Sequence, residues 1–248
     1  MQSMSGIHEL IRLNASGEFK SGARQRGFMC RVADTRAPGG YKIKRLKGLT
    51  KLTKRLFKRR QPGDMNAAGR LFVLPSGTVP LLNTRRVGTN IHRHVMHATI
   101  CRPTNNCRCK EVNGIGTGRL EAQQVSVRAC VSSAHTFVRD YALEPVIGEP
   151  IIYLQALGLA TRADALFRPR GAAKGASGPI VLVSWKSGAG PRSNAEYMQH
   201  CAQVKFERAG LVDTHHVNVV AAYIVYLTAA RDMSDKQIKA FYHVHKVD

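Results

Sequence analysis

The sequence predicts an α/β protein built around a central sheet, and three observations carry that expectation. Three short apolar runs, Pro150–Leu154, Leu159–Phe167 and Ile180–Trp185, follow one another with Gly, Pro or Arg at their edges, as strands do. A helical segment, Ser193–Ala209, comes next. Then Val217–Leu227 (VNVVAAYIVYL), the clearest buried strand of the chain, returns to the sheet. The order strand, strand, strand, helix, strand places a sheet at the centre with helices packed against it. At 248 residues and 44% apolar, the chain can build one good core and an appendage, but not two full domains.

Taken in order, residues 1–63 read as a basic N-terminal arm whose only acids are Glu9, Glu18 and Asp34. Within it, Tyr41 to Arg60 (YKIKRLKGLTKLTKRLFKRR) carries ten Lys or Arg and no acid. Ile43, Leu46, Leu49, Leu52 and Leu56 recur every three or four residues, so the segment predicts a basic amphipathic helix. Such a helix can grip phosphate, lie on a membrane, serve as an address tag or remain a solvated arm. Its phosphate-gripping candidates are Lys44, Arg45, Lys47, Lys54, Arg55, Lys58, Arg59 and Arg60. Gln61-Pro62-Gly63-Asp64 breaks the pattern and sets the domain boundary, with the main domain over residues 64–248. Arg70 to Leu82 is an apolar lead-in containing a turn. His135 to Leu143 predicts a short helix capped by Ser132 or Ser133, Ser193 or Asn194 caps the Ser193–Ala209 helix, and Ser234 opens a last segment that starts as a helix.

Lys and Arg number 38 against 16 Asp and Glu, a formal net charge of +22. The commonest partner for such a surface is a polyanion, so nucleic acid is the expected partner, ahead of anionic lipid or a place in a ribonucleoprotein. No apolar run approaches the ~18 residues that span a bilayer, and the N-terminus lacks the apolar core of a secretory signal. Six scattered cysteines fit a reducing compartment. The run KRLFKRR suits nuclear import and the acid-poor N-terminus suits a mitochondrial presequence, so the expected location is nucleus or mitochondrion.

The chemistry concentrates in EPIIYLQALGLATRADALF and the IVLVSWKSG that follows. Asp164 stands in an apolar strand context, and Lys186 ends the apolar stretch of the next strand. Adjacent strands can aim such residues at one point, because alternate side chains share a face. A carboxylate and an ammonium together suit phosphodiester hydrolysis. The carboxylate holds a divalent metal that polarises the phosphate and acidifies a water, and the ammonium orients that water.

This ordered set resembles the RecB-like branch of the PD-(D/E)XK nucleases, the branch that includes the mitochondrial genome maintenance exonuclease. That branch presents a helical His, then a Glu, then an Asp in a Gly-x-x-Asp-Ala context. An apolar strand ending in acid-x-Lys-[Ser/Thr] and a helix bearing a Gln complete it. The matching residues here are His135, Glu149, Asp164-Ala165-Leu166, Trp185-Lys186-Ser187-Gly188 and Gln199, with a lead-in at Leu74-Pro75-Ser76-Gly77-Thr78. The likeness runs from about Leu74 to Leu227 and is dense over 132–227. It implies a restriction-endonuclease-like core with a mixed central sheet flanked by helices. It also implies Mg²⁺ or Mn²⁺ on Asp164 with His135, a nucleophile positioned by Lys186, support from Glu149, and Gln199 touching DNA or bracing the site. The implied activity is that of a DNA exonuclease acting on single strands or ends.

Three departures stand out. The acid-x-Lys motif reads Ser184-Trp185-Lys186, Thr161 replaces a common Gly, and Gln203 replaces a Tyr. The missing carboxylate is either lost, leaving a nuclease fold that only binds nucleic acid, or supplied from elsewhere. Glu196, on one helical face with Gln199, His200 and Gln203, is one candidate, and Glu149 is another. A second cluster (His92, His94, His97, Cys101, Cys107 and Cys109) has zinc-type ligands, but its cysteine spacing fits no common tetrahedral site, and no cysteine follows Cys201 to support an iron–sulfur cluster.

Overall fold

A computed structural model describes residues 28–33, 36, 41–49, 53, 74–81, 85–101, 121–154, 157–173, 178–191 and 193–248. Its elements run β1 (Phe28–Ala33), β2 (Tyr41–Gly48), β3 (Thr78–Pro80), α1 (Arg85–Met96), α2 (Glu121–Asp140), β4 (Leu143–Gly148), β5 (Ile151–Leu154), β6 (Leu159–Arg162), β7 (Ala165–Pro169), β8 (Ile180–Ser187), α3 (Asn194–Ala209), β9 (Val219–Asp232) and β10 (Ile238–Lys246). Short π-helical turns, His97–Cys101 and Gly210–Thr214, extend α1 and α3. The protein is α/β with a mixed sheet. The larger sheet has the order β10-β9-β8-β7-β4, and β3 pairs with the far end of β9. Among the described strands only β8 and β9 run parallel within it, joined through α3 as parallel neighbours require.

Period-two alternation sorts two cores onto the two faces of this sheet. From β8, Val181, Val183 and Trp185 join Val225, Leu227 and Ala229 of β9 under α1 and α2, which contribute Ile91, Val95, Ala134 and Phe137. The intervening residues, Ile180 and Leu182 with Ala222, Ile224 and Tyr226, pack on the other face with Val204 and Leu211 from α3 and the turn after it. These strands therefore read as continuous apolar runs because both faces are covered.

A second sheet, β1-β2-β6-β5, grows out of the first through a bent hairpin. β4 and β5 form one leg, β6 and β7 the other, and both legs break at the same level. Across the break, Glu149 N–H donates to Asp164 O at 2.8 Å and Ala163 N–H donates to Pro150 O at 3.1 Å. Glu149 takes a positive φ of 51° there. The run Leu159–Phe167, expected as one strand, is thus two strands with Asp164 in the bend between them.

Other expectations change as well. Tyr41–Gly48 is a strand, not the start of a helix, because it pairs antiparallel with β1 over six residues and parallel with β6. Leu49, just after it, is fully buried with Ile152, Leu154 and Leu159. This part of the basic arm is therefore built into the core, while the expected boundary at 61–64 lies outside the described residues. The helix expected from His135 begins at Glu121, so Ser132 and Ser133 are interior rather than capping. Ser193 does cap α3: its Oγ accepts the Glu196 N–H at 3.2 Å. The segment after Ser234 forms β10, paired with β9 over nine residues. Among the described residues, no helix is long and apolar enough to cross a membrane.

Phe137 is the hinge of the first core. It is fully buried and packs edge-on to Trp185, Tyr223 and Tyr242 at centroid distances of 5.5, 6.2 and 5.8 Å. We expect Phe137→Ala to cost about 3–5 kcal/mol in urea unfolding; a loss below about 1 kcal/mol would mean that α2 does not seat on the sheet in this way.

Candidate active site

The β7–β8 register pairs Ala165 with Val183, which sets Asp164 opposite Ser184. Ser184 and Lys186 share the face of β8 opposite to Trp185, so the strand presents a hydroxyl and an ammonium to the carboxylate in the bend. Asp164 Oδ2 accepts from Ser184 Oγ at 3.1 Å and from the Trp185 N–H at 2.8 Å. Lys186 Nζ donates to Ser184 Oγ at 2.8 Å and lies 3.9 Å from Asp164 Oδ2. The two residues that sequence reasoning singled out therefore meet.

The third partner comes from α1. His92 Nε2 lies 2.9 Å from Asp164 Oδ1, with Ile91 and Val95 buried on either side of it along the helix. Burial alone drives the Asp164 carboxyl upward, but Lys186, His92 and Ser184 outweigh it and hold it at about 2. Burial likewise opposes charge on His92, yet its bond to Asp164 and the charges of Asp164 and Glu149 raise the ring above its ordinary value despite Lys186. The result is an ionised acid held between an ammonium, an imidazole and a hydroxyl.

His92 and Lys186 open onto a cleft of about 270 Å³ at the C-terminal end of β8, between residues of α1 and α3. Its lining includes His92, Lys186, Gly190, Glu196, His200 and Tyr226. Tyr226 is the β9 neighbour of Lys186, and its hydroxyl is hydrogen-bonded to His200 Nδ1 at 2.8 Å. Burial raises the Tyr226 phenol well above the usual range, so it stays a hydroxyl. Open α/β sheets commonly place ligands beyond the carboxyl ends of their strands.

The remaining site candidates divide. Glu196 lines the cleft. Glu149 is exposed and paired with Arg162 (Nη1 to Oε2, 3.2 Å), so its firm link to the site is its backbone bond across the bend. His135 is exposed on α2, whose buried positions include Ala134 and Phe137 on either side of it, and the imidazole bonded to Asp164 is instead His92. Gln199 is half-buried, and its neighbour His200 takes the cleft position. Lys44, Arg45 and Lys47 lie on β2, whereas Lys54, Arg55, Lys58, Arg59 and Arg60 lie outside the described residues. Sequence reasoning grouped His92 with zinc-type ligands. The signal that distinguishes it is its place between Ile91 and Val95 on an apolar helical stripe. It missed Glu207 altogether, an acid with no exposed surface near the C-terminal end of α3.

No known family model matches the sequence, and no curated protein matches it.

Among the described residues, no three His, Cys, Asp or Glu side chains are grouped as an all-protein metal cage, while Cys107 and Cys109 of the His/Cys run lie outside those residues. A magnesium-type site does not require one. It is made by one or two carboxylates, with water and substrate phosphate oxygens completing the shell. Glu196 lines the cleft and the ionised Asp164 lies behind Lys186 and His92 at its edge, so the two carboxylates supply oxygen donors of the kind that Mg²⁺ or Mn²⁺ takes.

The pairing makes a measurable difference to His92. In nitrogen-detected NMR titration, its ring is expected to titrate above 6.5 in the parent protein and markedly lower in Asp164→Asn, where only the charge of Glu149 opposes burial and Lys186. An unchanged midpoint would show that the pair does not form in solution.

Proposed function

We propose that this chain is a metal-dependent deoxyribonuclease with a PD-(D/E)XK-type core, acting on single-stranded or end-bearing DNA in replication, repair or recombination. The observation that carries the reading is the convergence of Asp164, from the bend before β7, and Lys186, from β8, 3.9 Å apart beside a cleft that Lys186 lines, in the sequence order of that motif. Asp164 and Glu196 would hold Mg²⁺ or Mn²⁺, which when bound polarises the phosphate and acidifies a water. Lys186 orients the attacking water. His92 keeps Asp164 ionised and aimed, a different task from the metal ligation that the resemblance gave to a helical His. His200, steadied by the Tyr226 hydroxyl, faces the phosphate from the opposite wall. The +22 charge gathers the strand by releasing its counterions, which makes binding steeply salt-dependent. The basic run ending at Arg60 supports a nuclear or mitochondrial address.

One observation favours a second reading, a nuclease fold kept for gripping nucleic acid without turnover. Ser184 stands where the motif carries an acid, and it bridges Lys186 and Asp164 with a neutral hydroxyl. That bridge satisfies both charges within the protein.

Digestion of end-labelled single- and double-stranded DNA with Mg²⁺ or Mn²⁺ separates the two. The nuclease reading expects metal-dependent cleavage that falls by at least about a hundredfold in Lys186→Ala. Tight, salt-sensitive binding with no cleavage in either metal would establish the gripping fold instead.

A further inference from the structure

Four residues of α3, Glu196, His200, Gln203 and Glu207, recur at the spacing of a single helical stripe. The first two line the cleft, and the last two are tied into the protein beneath it. Glu207 has no exposed surface. Its Oε1 accepts from Thr161 Oγ at 3.1 Å and from Gln203 Nε2 at 2.9 Å, while its Oε2 is buried without a hydrogen-bond partner. Thr161 belongs to β6, three residues before Asp164. The two residues that depart from the family pattern at positions 161 and 203 are thus the two donors to one buried acid.

We propose that Glu207 is a positioning residue for the cleft: its buried carboxyl group ties α3 to β6, sets the separation of the walls carrying Glu196 and Asp164, and gives up a proton to solvent when a divalent cation settles on Asp164. The cation part of this proposal rests on the nuclease reading; the tie does not.

The physical case starts from the orphaned oxygen. A buried carboxylate with one oxygen unserved is costly, whereas the neutral acid leaves only a hydroxyl without an acceptor. Burial first, and then the charge of Asp164, push the Glu207 acid up to about 8, against the pull of Gln203, Lys186 and Thr161. The charged groups acting on it are therefore Asp164 from the bend and Lys186 from β8. A cation on Asp164 would cancel the second of these pushes and leave burial alone against Gln203, Lys186 and Thr161. Glu207 then ionises at a lower pH than without the cation, and its proton passes to solvent over that range. By reciprocity, cation affinity must rise with pH over the range in which Glu207 would otherwise be protonated. Because Glu207 lies on the same stripe as Glu196 and His200, loosening its tie also displaces the cleft wall they form.

The test is Mn²⁺ titration calorimetry on the full chain from pH 6 to 9, in two buffers of different ionisation enthalpy, comparing the parent with Glu207→Gln. The amide keeps the size of the neutral acid and an oxygen for Thr161 and Gln203, but has no proton to release. The parent is expected to release more protons than the variant, up to one per cation bound. Its affinity should gain up to about tenfold per pH unit below pH 8 relative to the variant, since one proton is linked. Titration of His92 is common to both proteins and cancels in the comparison. Equal proton release and equal pH slopes would overturn the proposal. If Glu207→Gln does not fold, Thr161→Val removes one donor to the ionised form and should move the rise in affinity to higher pH; an unmoved rise would overturn the proposal equally.

Failure of the parent to bind Mn²⁺ at any pH would sink the nuclease reading and with it the cation part of the proposal. The tie is then judged from melting without metal. A group whose folded value lies at about 8 against an ordinary 4.5 gives stability present below 4.5 and lost as pH rises through 8. The melting temperature of the parent should therefore fall relative to Glu207→Gln between pH 5 and 8, and parallel curves would overturn the tie.

Discussion

The structure depends on keeping one carboxylate ionised while it is largely shielded from water. Removing a charge from solvent costs several kcal/mol unless donors and opposite charges surround it, and Asp164 is surrounded on every side. The bend places it, β8 supplies a hydroxyl, a backbone N–H and an ammonium, and α1 supplies an imidazole. None of these elements satisfies it alone. The bend requires the paired breaks in both legs of the hairpin, and the imidazole requires α1 to cross the end of β8 on the face held by Phe137 and Trp185. Core packing and the site are in this sense one construction.

Ser184 changes what that construction can do. An acid at this position would set a second negative charge beside Asp164 and leave Lys186 facing two carboxylates. A hydroxyl instead donates to Asp164 and accepts from Lys186, so the cluster carries one carboxylate facing the Lys186 ammonium and the His92 ring. Two other acids stand near enough to matter. Glu196 opens into the cleft, while Glu207 lies behind it, buried and raised to about 8 by its surroundings. Their different depths give them different chemistry, one available to a cation in the cleft and the other to the position of the helix.

Much of the framework was legible in the sequence. The apolar run ending in Lys186 can hardly be anything but a buried strand, the Ser193 cap marks the start of α3, and an acid in an apolar context signals a partner. What was not legible depended on tertiary pairing. The apolar positions of Tyr41–Gly48 fit a helix, but six paired residues of β1 and an edge at β6 override that spacing. Ser234 reads as a helix cap until β9 offers β10 a nine-residue partner. His92 was hidden among other histidines and cysteines, and only the burial of Ile91 and Val95 orients it inward. Thr161 and Gln203 looked like flaws against a family pattern because the residue that explains them both, Glu207, lies on a helix turn that no motif marks.

The most direct test of the central claim is anomalous scattering from crystals soaked in Mn²⁺. The account predicts a manganese peak against the Asp164 carboxylate and on the Glu196 side of the cleft, with Lys186 beside it. A saturating soak that leaves Asp164 bonded to His92 and Ser184, with no peak in the cleft, would contradict it.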